Sequence, residues 1–511
     1  LIWQTGDRVW ADRCEDVAFN SLPAALTPDL KALRYLTAPN LPLSDRRSKS
    51  PGLENAGPML LMSPHLHRCC QHNWGQGWPY LAEHLWMATG DNGLAAVMYS
   101  ECEVKAKVGD GTEVLLTEKT HYPFDGKIEI TIRTPKAMHF PIYLRIPEWC
   151  ERPSVTLNDH DFPIQAGDGG IIRFERPPLM VNDLVAPIQA GQRGYLRVDS
   201  NWEAGDKVGL TLPMSVRVHT WAKNHGAVSV DRGPLTFSLK IGEKYFRSGG
   251  TDRWPAYEIW PTTPWNYGLM INMKKPSKSI SESIKTWPAD DRPFTQVGNP
   301  IELHCLARRI PEWKADYLGL VGLLQQSPAK TAEPVEAVTL IPMGAARLRI
   351  TAFPTVSNGP DAHAWKVPPE ALPIKVTASH CWQADTVRAV ADGRVPSSSN
   401  DHTIPRFTWW DHRGTKEWVQ REFDAPQKVS KVRVYWFDDE PGRGGCRTPA
   451  SWRLLYRTGG EWKPVNGADG YGTAKDRFNE TTFPAIETDA LRIEVKLRPG
   501  MSGGILEWEV K

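Results

Sequence analysis

Near Gly93 the chain changes its hydrophobic period, and that change limits the folds open to it more than any other feature. Upstream, Trp10, Cys14, Val17 and Ala18 recur at the spacing of a helix. Leu1 to Asp7 reads as the end of a helix stopped by Gly6, and Trp78, Leu81 and Leu85 predict another over 78–89, closed by Gly90. Downstream the period becomes two. Residues 94–102, 114–116, 128–132 and 142–146 read as strands, with turns at Gly109-Asp110-Gly111 and Asp125-Gly126 between them. Short strands at such spacing, without interleaved helices, predict antiparallel sandwiches.

A chain of 511 residues exceeds what one hydrophobic core supports, so several domains are expected. Residues 1–92 read as helical and 93–245 as a β-sandwich. Residues 246–372 read as a second sandwich or irregular region. It holds the aromatic stretch Trp260-Pro261-Thr262-Thr263-Pro264-Trp265-Asn266-Tyr267, and strands return near 337–340 and 346–352. Residues 373–511 are again strand and turn, with strands at 419–423, 432–437, 452–456 and 491–495. Two or three helices cannot close a helical domain, so those of 1–92 pack on the next domain or on sequence upstream.

Lys plus Arg number 61 and Asp plus Glu 59, which argues against nucleic acid or an anionic membrane surface as a partner. No apolar run approaches the roughly 20 residues that span a bilayer. The 22 Trp are unusual; they serve either as core or as flat faces on which sugar rings stack. The eight Cys are too sparse for a disulfide scaffold, and Cys69-Cys70 is their one adjacent pair.

That pair lies in the densest chemical cluster, Pro64-His65-Leu66-His67-Arg68-Cys69-Cys70-Gln71-His72-Asn73-Trp74-Gly75. His65, His67, Cys69, Cys70 and His72 are donors of the kind zinc prefers. The segment precedes a predicted helix, where the helix dipole and Arg68 lower a thiol pKa and make a thiolate nucleophile available at neutral pH. The competing reading is a buried loop, with Cys as small hydrophobes and His as satisfied donors.

Five motifs resemble glycoside hydrolase family 127, the cysteine-dependent β-L-arabinofuranosidases. They are Ala11-Asp12-Arg13-Cys14-Glu15-Asp16-Val17-Ala18-Phe19-Asn20-Ser21-Leu22-Pro23-Ala24, Arg68-Cys69-Cys70-Gln71-His72-Asn73, Leu144-Arg145-Ile146-Pro147-Glu148-Trp149, Val230-Asp231-Arg232-Gly233-Pro234-Leu235 and Pro342-Met343-Gly344-Ala345-Ala346. The resemblance covers residues 1 to about 355 and implies part of an (α/α)6 barrel followed by antiparallel β-sandwiches. It implies a zinc ion held by one glutamate and three cysteines, with Cys69 as nucleophile and ligand and Cys70 as a second ligand. The implied reaction is retaining hydrolysis through a thioglycoside on cysteine, in place of the usual pair of carboxylates. Asn20, Tyr35, His72 and Trp74 fall where the barrel floor approaches the sugar. The family's Glu-x-Cys ligand motif and its acid/base glutamate lie upstream of the residues seen here. Glu148-Trp149-Cys150 has that form but follows a predicted strand, and reads as structural.

Residues 373–511 resemble the discoidin-like jelly rolls of family 32 carbohydrate-binding modules. The likeness rests on Val376-Thr377-Ala378-Ser379-His380, Thr408-Trp409-Trp410, Trp418-Val419-Gln420-Arg421-Glu422-Phe423 and Pro449-Ala450-Ser451-Trp452. It implies a sugar site among His402, Arg406, Trp409 and Trp410, and a Ca2+ loop at Asp392. The expected partner is an oligosaccharide or a plant or bacterial glycan, in a bacterial periplasm or outside the cell. The rival class is a non-catalytic carbohydrate-binding or scaffold protein. A thiol redox or metal-storage protein would not need sandwiches so rich in Trp.

Overall fold

The computed structural model describes residues 1–49, 58–66, 68–162, 171–173, 194–316, 318–367, 375–382, 384–442 and 444–511. They divide into one unit of residues 1–44, 62–310 and 323–365 and another of 45–61, 311–322 and 366–511. The boundary expected at 372/373 lies outside the described residues.

In the first unit, helix Ile2–Thr5 ends where Gly6 takes φ 65° and returns its N–H to the Ile2 carbonyl at 2.7 Å. Helix Val9–Asp16 continues through the wider turn Val17–Ser21 into Leu22–Ala24. Its buried face is one residue away from the hydrophobic stripe expected. Ala11, Glu15, Ala18, Phe19 and Asn20 are buried, whereas Cys14 and Val17 are exposed. A carboxylate takes the inward position because Arg145, fully buried, pairs with both Glu15 and Asp12. Tyr122 donates its hydroxyl to the same Glu15 at 2.8 Å.

The helical reading of 1–92 is corrected beyond this point. Residues 25–49 and 58–66 are turns, loop and isolated bridges, apart from Asn40–Leu41 pairing with Arg349–Ile350. The helix expected at 78–89 instead runs Arg68–Glu83 and has no buried residue. Leu85 and Trp86 break from its periodicity to bury themselves, Trp86 opening a strand against Ala96. Among the described residues these helices do not make a closed (α/α)6 barrel.

The first sandwich consists of two sheets. One orders Ile171–Arg173, Tyr195–Trp202, Met138–Arg145, Leu94–Ala96 and Trp86–Ala88; the other orders Cys102–Val108, Thr112–Thr120, Lys127–Arg133, Lys207–Thr211, Ser154–Leu157 and His160–Phe162. Alternation works as physics requires: in Lys127–Arg133 the side chains of Ile128, Ile130 and Ile132 are buried, while Lys127, Glu129 and Arg133 are exposed and Thr131 is half-buried. Trp86 links the sheets by donating its indole N–H to Glu118 at 2.8 Å.

The sandwich closes before residue 245. Val216–Trp221, Ala227–Arg232 and Leu235–Leu239 instead begin a seven-stranded sheet with Val335–Pro342, Ile301–Arg309, Tyr267–Leu269 and Ile280–Ile284. The Trp-rich stretch contains a hairpin, Glu243–Gly250 with Pro255–Pro261.

The second unit is built on Lys416–Phe437 and Phe478–Lys496, two long antiparallel strands whose pairing shifts at Glu422/Gln427 and Val429/Lys431. Gly504–Val510, Ser451–Thr458, Glu461–Pro464, Phe407–Thr408 and Lys375–Ala378 complete the sheet. Trp409, Trp436, Trp452 and Trp508 are buried in its core, the packing reading of Trp. Outlying loops belong here too: Lys49 is buried and donates to Asp45 and to the Leu318 carbonyl.

Candidate functional site

Cys69 and Cys70 stand in the first turn of helix Arg68–Glu83, inside the helix that was expected to follow them. The Ser63 hydroxyl caps the approach by accepting the amides of His65 and Leu66 at 3.2 and 3.3 Å, and Gln71 donates back to the Pro64 carbonyl. The two sulfurs are 3.9 Å apart and unbridged, Cys69 exposed and Cys70 half-buried. Burial and the neighbouring thiol push Cys70 above its ordinary pKa, opposite to the lowering expected from the helix terminus and Arg68.

Two thiolates on a tetrahedral zinc, each at about 2.3 Å, stand about 3.8 Å apart, so the pair fits half of such a shell. Among the described residues no group of three or more His, Cys, Asp or Glu could hold a metal. His65 and His72 are exposed, and His67 lies outside the described residues.

The other expected sugar contacts separate. Trp74 packs edge-on to Trp78 at 6.4 Å and donates to the Leu22 carbonyl at 3.4 Å, tying the thiol helix to the first helical segment. Tyr35 is half-buried in the loop. Asn20 is a fastener, not a sugar contact. Its amide donates to Asp16 O at 2.9 Å and Pro234 O at 3.0 Å, and its carbonyl accepts Thr236 N at 2.9 Å.

In the second unit three of the four expected residues border Phe437. Arg406 lies over its ring at 5.1 Å, His402 meets it edge-on at 5.5 Å, and Trp410 packs in the same small cluster. Arg406 Nη1 is 2.6 Å from His402 Nδ1, while Asp385 takes its Nε at 3.1 Å. Trp410 remains half-buried with Arg413 over it at 4.5 Å. Trp409 is corrected: it follows strand Phe407–Thr408 onto the opposite face, into the core, and cannot meet a ligand. Sequence reading missed Glu507, which is buried in Gly504–Val510 and accepts the amide of Gly393 at 2.9 Å. Burial and the Asp392 carboxylate push it up to about 8. Asp392 and Glu507 thus set two buried carboxylates beside the turn at Gly393. Sequence offers no local signal for Glu507, because residues 504–508 are buried on both faces of the strand.

Comparison with known proteins bears on these arrangements. Residues 1–83 match the family model of the β-L-arabinofuranosidase GH127 catalytic domain, and residues 93–214 that of the GH127 middle domain. The chain resembles glycoside hydrolase family 127 through both segments. No curated protein matches it. Among solved structures, a GH127 β-L-arabinofuranosidase from Geobacillus stearothermophilus T6 is similar at 20% identity over 68% of this chain and 46% of that one, with a TM-score of 0.44. The chain thus spans about half the length of that enzyme. A pectin-binding carbohydrate-binding module matches at 18% identity over 27% of this chain and 88% of its own, TM-score 0.20. A family 32 module of C. perfringens NanJ, solved with galactose, matches at 15% over 27% and 92%, TM-score 0.21.

Proposed function

We propose that this chain is part of a retaining glycoside hydrolase that releases L-arabinofuranose or a related sugar from glycans, with Cys69 as nucleophile and zinc on Cys69 and Cys70. The observation that carries the reading is the unbridged sulfur pair at 3.9 Å on an exposed helix turn. In this reading Cys69 Sγ attacks the anomeric carbon as the leaving group departs, and water then cleaves the thioglycoside. Bound zinc would keep the thiols deprotonated at neutral pH, against the upward push on Cys70. The remaining ligands and the acid/base lie outside the residues named here.

The second unit would hold a glycan at His402, Arg406 and Trp410, with Ca2+ on Asp392 and Glu507 fixing the loop. Secretion to the periplasm or beyond fits a glycan substrate, and among the described residues no helix is long and apolar enough to cross a membrane. A purely carbohydrate-binding protein is the second reading, favoured by the Arg406–His402–Phe437 cluster standing without any catalytic group.

Elemental analysis and hydrolysis of a chromogenic β-L-arabinofuranoside test the first reading. Zinc at about one per chain, lost in Cys70→Ala, with turnover lost in Cys69→Ser, supports it. Absence of zinc from protein whose intact mass includes the upstream half of the barrel, or Cys69→Ser with unchanged turnover, sinks it in favour of the binding reading.

A further inference from the structure

The edge strand Val216–Trp221 borders an open cleft of about 590 Å³ in the first unit. That is the size of a small-molecule site, about 300–1,000 Å³. Arg217, His219 and Trp221 follow the strand's two-residue period and line the cleft together. The register sets Arg217 opposite Asp231 and His219 opposite Ser229, so the neighbouring strand extends the wall. Trp149, from the motif that read as structural, and Asp16 also reach it.

Polar groups here keep hydrogen-bonding capacity to spare. Asp231 accepts the Thr236 hydroxyl on Oδ1 at 2.8 Å, and its Oδ2 has no partner among the described residues. Arg217 donates to Gly233 O at 3.2 Å and acts electrostatically on Asp231 opposite it. The Trp149 indole nitrogen is buried without one, and a buried donor left unmatched costs about 1–3 kcal/mol. The Trp221 ring is 48% exposed, yet it is held in place. Its N–H donates to the Ser229 hydroxyl at 3.1 Å, and His219 packs edge-on at 4.3 Å.

Charge narrows the ligand. No group of three or more His, Cys, Asp or Glu among the described residues could hold a metal ion, and the acids of the cleft are partly offset, Asp12 and Glu15 by Arg145 and Asp231 by Arg217. Asp16 and Asp231 disfavour an anion. What remains is a neutral molecule with hydroxyls that both donate and accept and a face that stacks on indole. The geometry points to a second, non-catalytic saccharide-binding cleft formed by Trp221, Arg217, Asp231 and Trp149. It shares no residue with the thiol helix and stands without the hydrolase reading.

Calorimetric titration of the whole chain with arabino-, xylo- and galacto-oligosaccharides tests it, in a Cys69→Ser background so that turnover does not intrude. Saturable binding of at least one series is expected, weakened about tenfold or more by Trp221→Ala and reduced by Asp231→Asn. Val297→Ala, at an exposed position of the first unit that does not line the cleft, should leave that binding event unchanged. No saturable binding with any series, or equal affinity in Trp221→Ala, overturns the inference. Because Cys69 is already replaced, neither result depends on whether the chain hydrolyses anything.

Discussion

Two helical segments of the first unit carry motifs of the same family and behave oppositely. Val9–Ala24 is locked inward. Glu15 and Asp12 meet Arg145, Asn20 grips Pro234 and Thr236, and Arg347 donates to the carbonyls of Pro23 and Leu26. The contacts of Glu15 and Asp12 with Arg145 and of Asn20 with Pro234 join one motif to another, so these sequence signatures specify docking. Arg68–Glu83 has no buried residue and presents its thiols outward. A motif can thus mark a joint or a reactive group, and burial with partner satisfaction tells which.

The sharpest break of this contrast is Arg145→Ala. It leaves Glu15 buried without its cation, and chemical denaturation should show a loss of about 3–5 kcal/mol; a loss below 1 kcal/mol would mean the first segment is not locked by charge. Next comes the anchor just beyond the thiol helix, Trp86 on Glu118. Burial pushes Glu118 up to about 8, above its unfolded value of 4.5. The folded state therefore holds a proton that the unfolded chain releases. This stability is complete below the unfolded pKa and is lost as pH rises toward 8, by roughly 3 kcal/mol between pH 5 and 8. Thermal melts should record the slope, and Glu118→Gln should flatten it.

Asn20→Ala should cost about 1–3 kcal/mol by stranding Thr236 N and Pro234 O, with sugar binding unchanged. Smallest in stability are Cys69→Ser and His72→Ala, each within about 0.5 kcal/mol in the same assay. A large destabilisation from either would erase the distinction between joint and reactive surface.

Much of this organisation is legible in the residues. The change of period at Gly93, the Gly6 stop and the strands around Ile130, Ile142 and Val434 all rest on local alternation or capping. The buried face of the first segment is not, because Glu15 is inward only by virtue of an arginine 130 residues away in sequence. The thiol helix was displaced for a related reason. Gly75, Gly77 and Pro79 argue locally against it, while Trp86, which seemed to belong to it, is claimed by a strand. In the second unit, adjacency of Trp409 and Trp410 suggested a shared surface, but extended backbone sends them to opposite faces. The Asp392–Glu507 pair joins distant segments and has no local signature.

The four tryptophans enclosed in the second unit also give the molecule an optical division of labour. Indoles shielded from water emit to the blue of those that touch it, and Trp221, Trp254 and Trp260 of the first unit are at least 40% exposed. A red shift on heating then reports the opening of the buried cores, to which Trp86, Trp202 and Trp365 of the first unit also contribute. Quenching at the red edge, with the blue edge unmoved, reports an occupant beside an exposed indole such as Trp221, so one fluorescence spectrum can follow core opening and occupancy together.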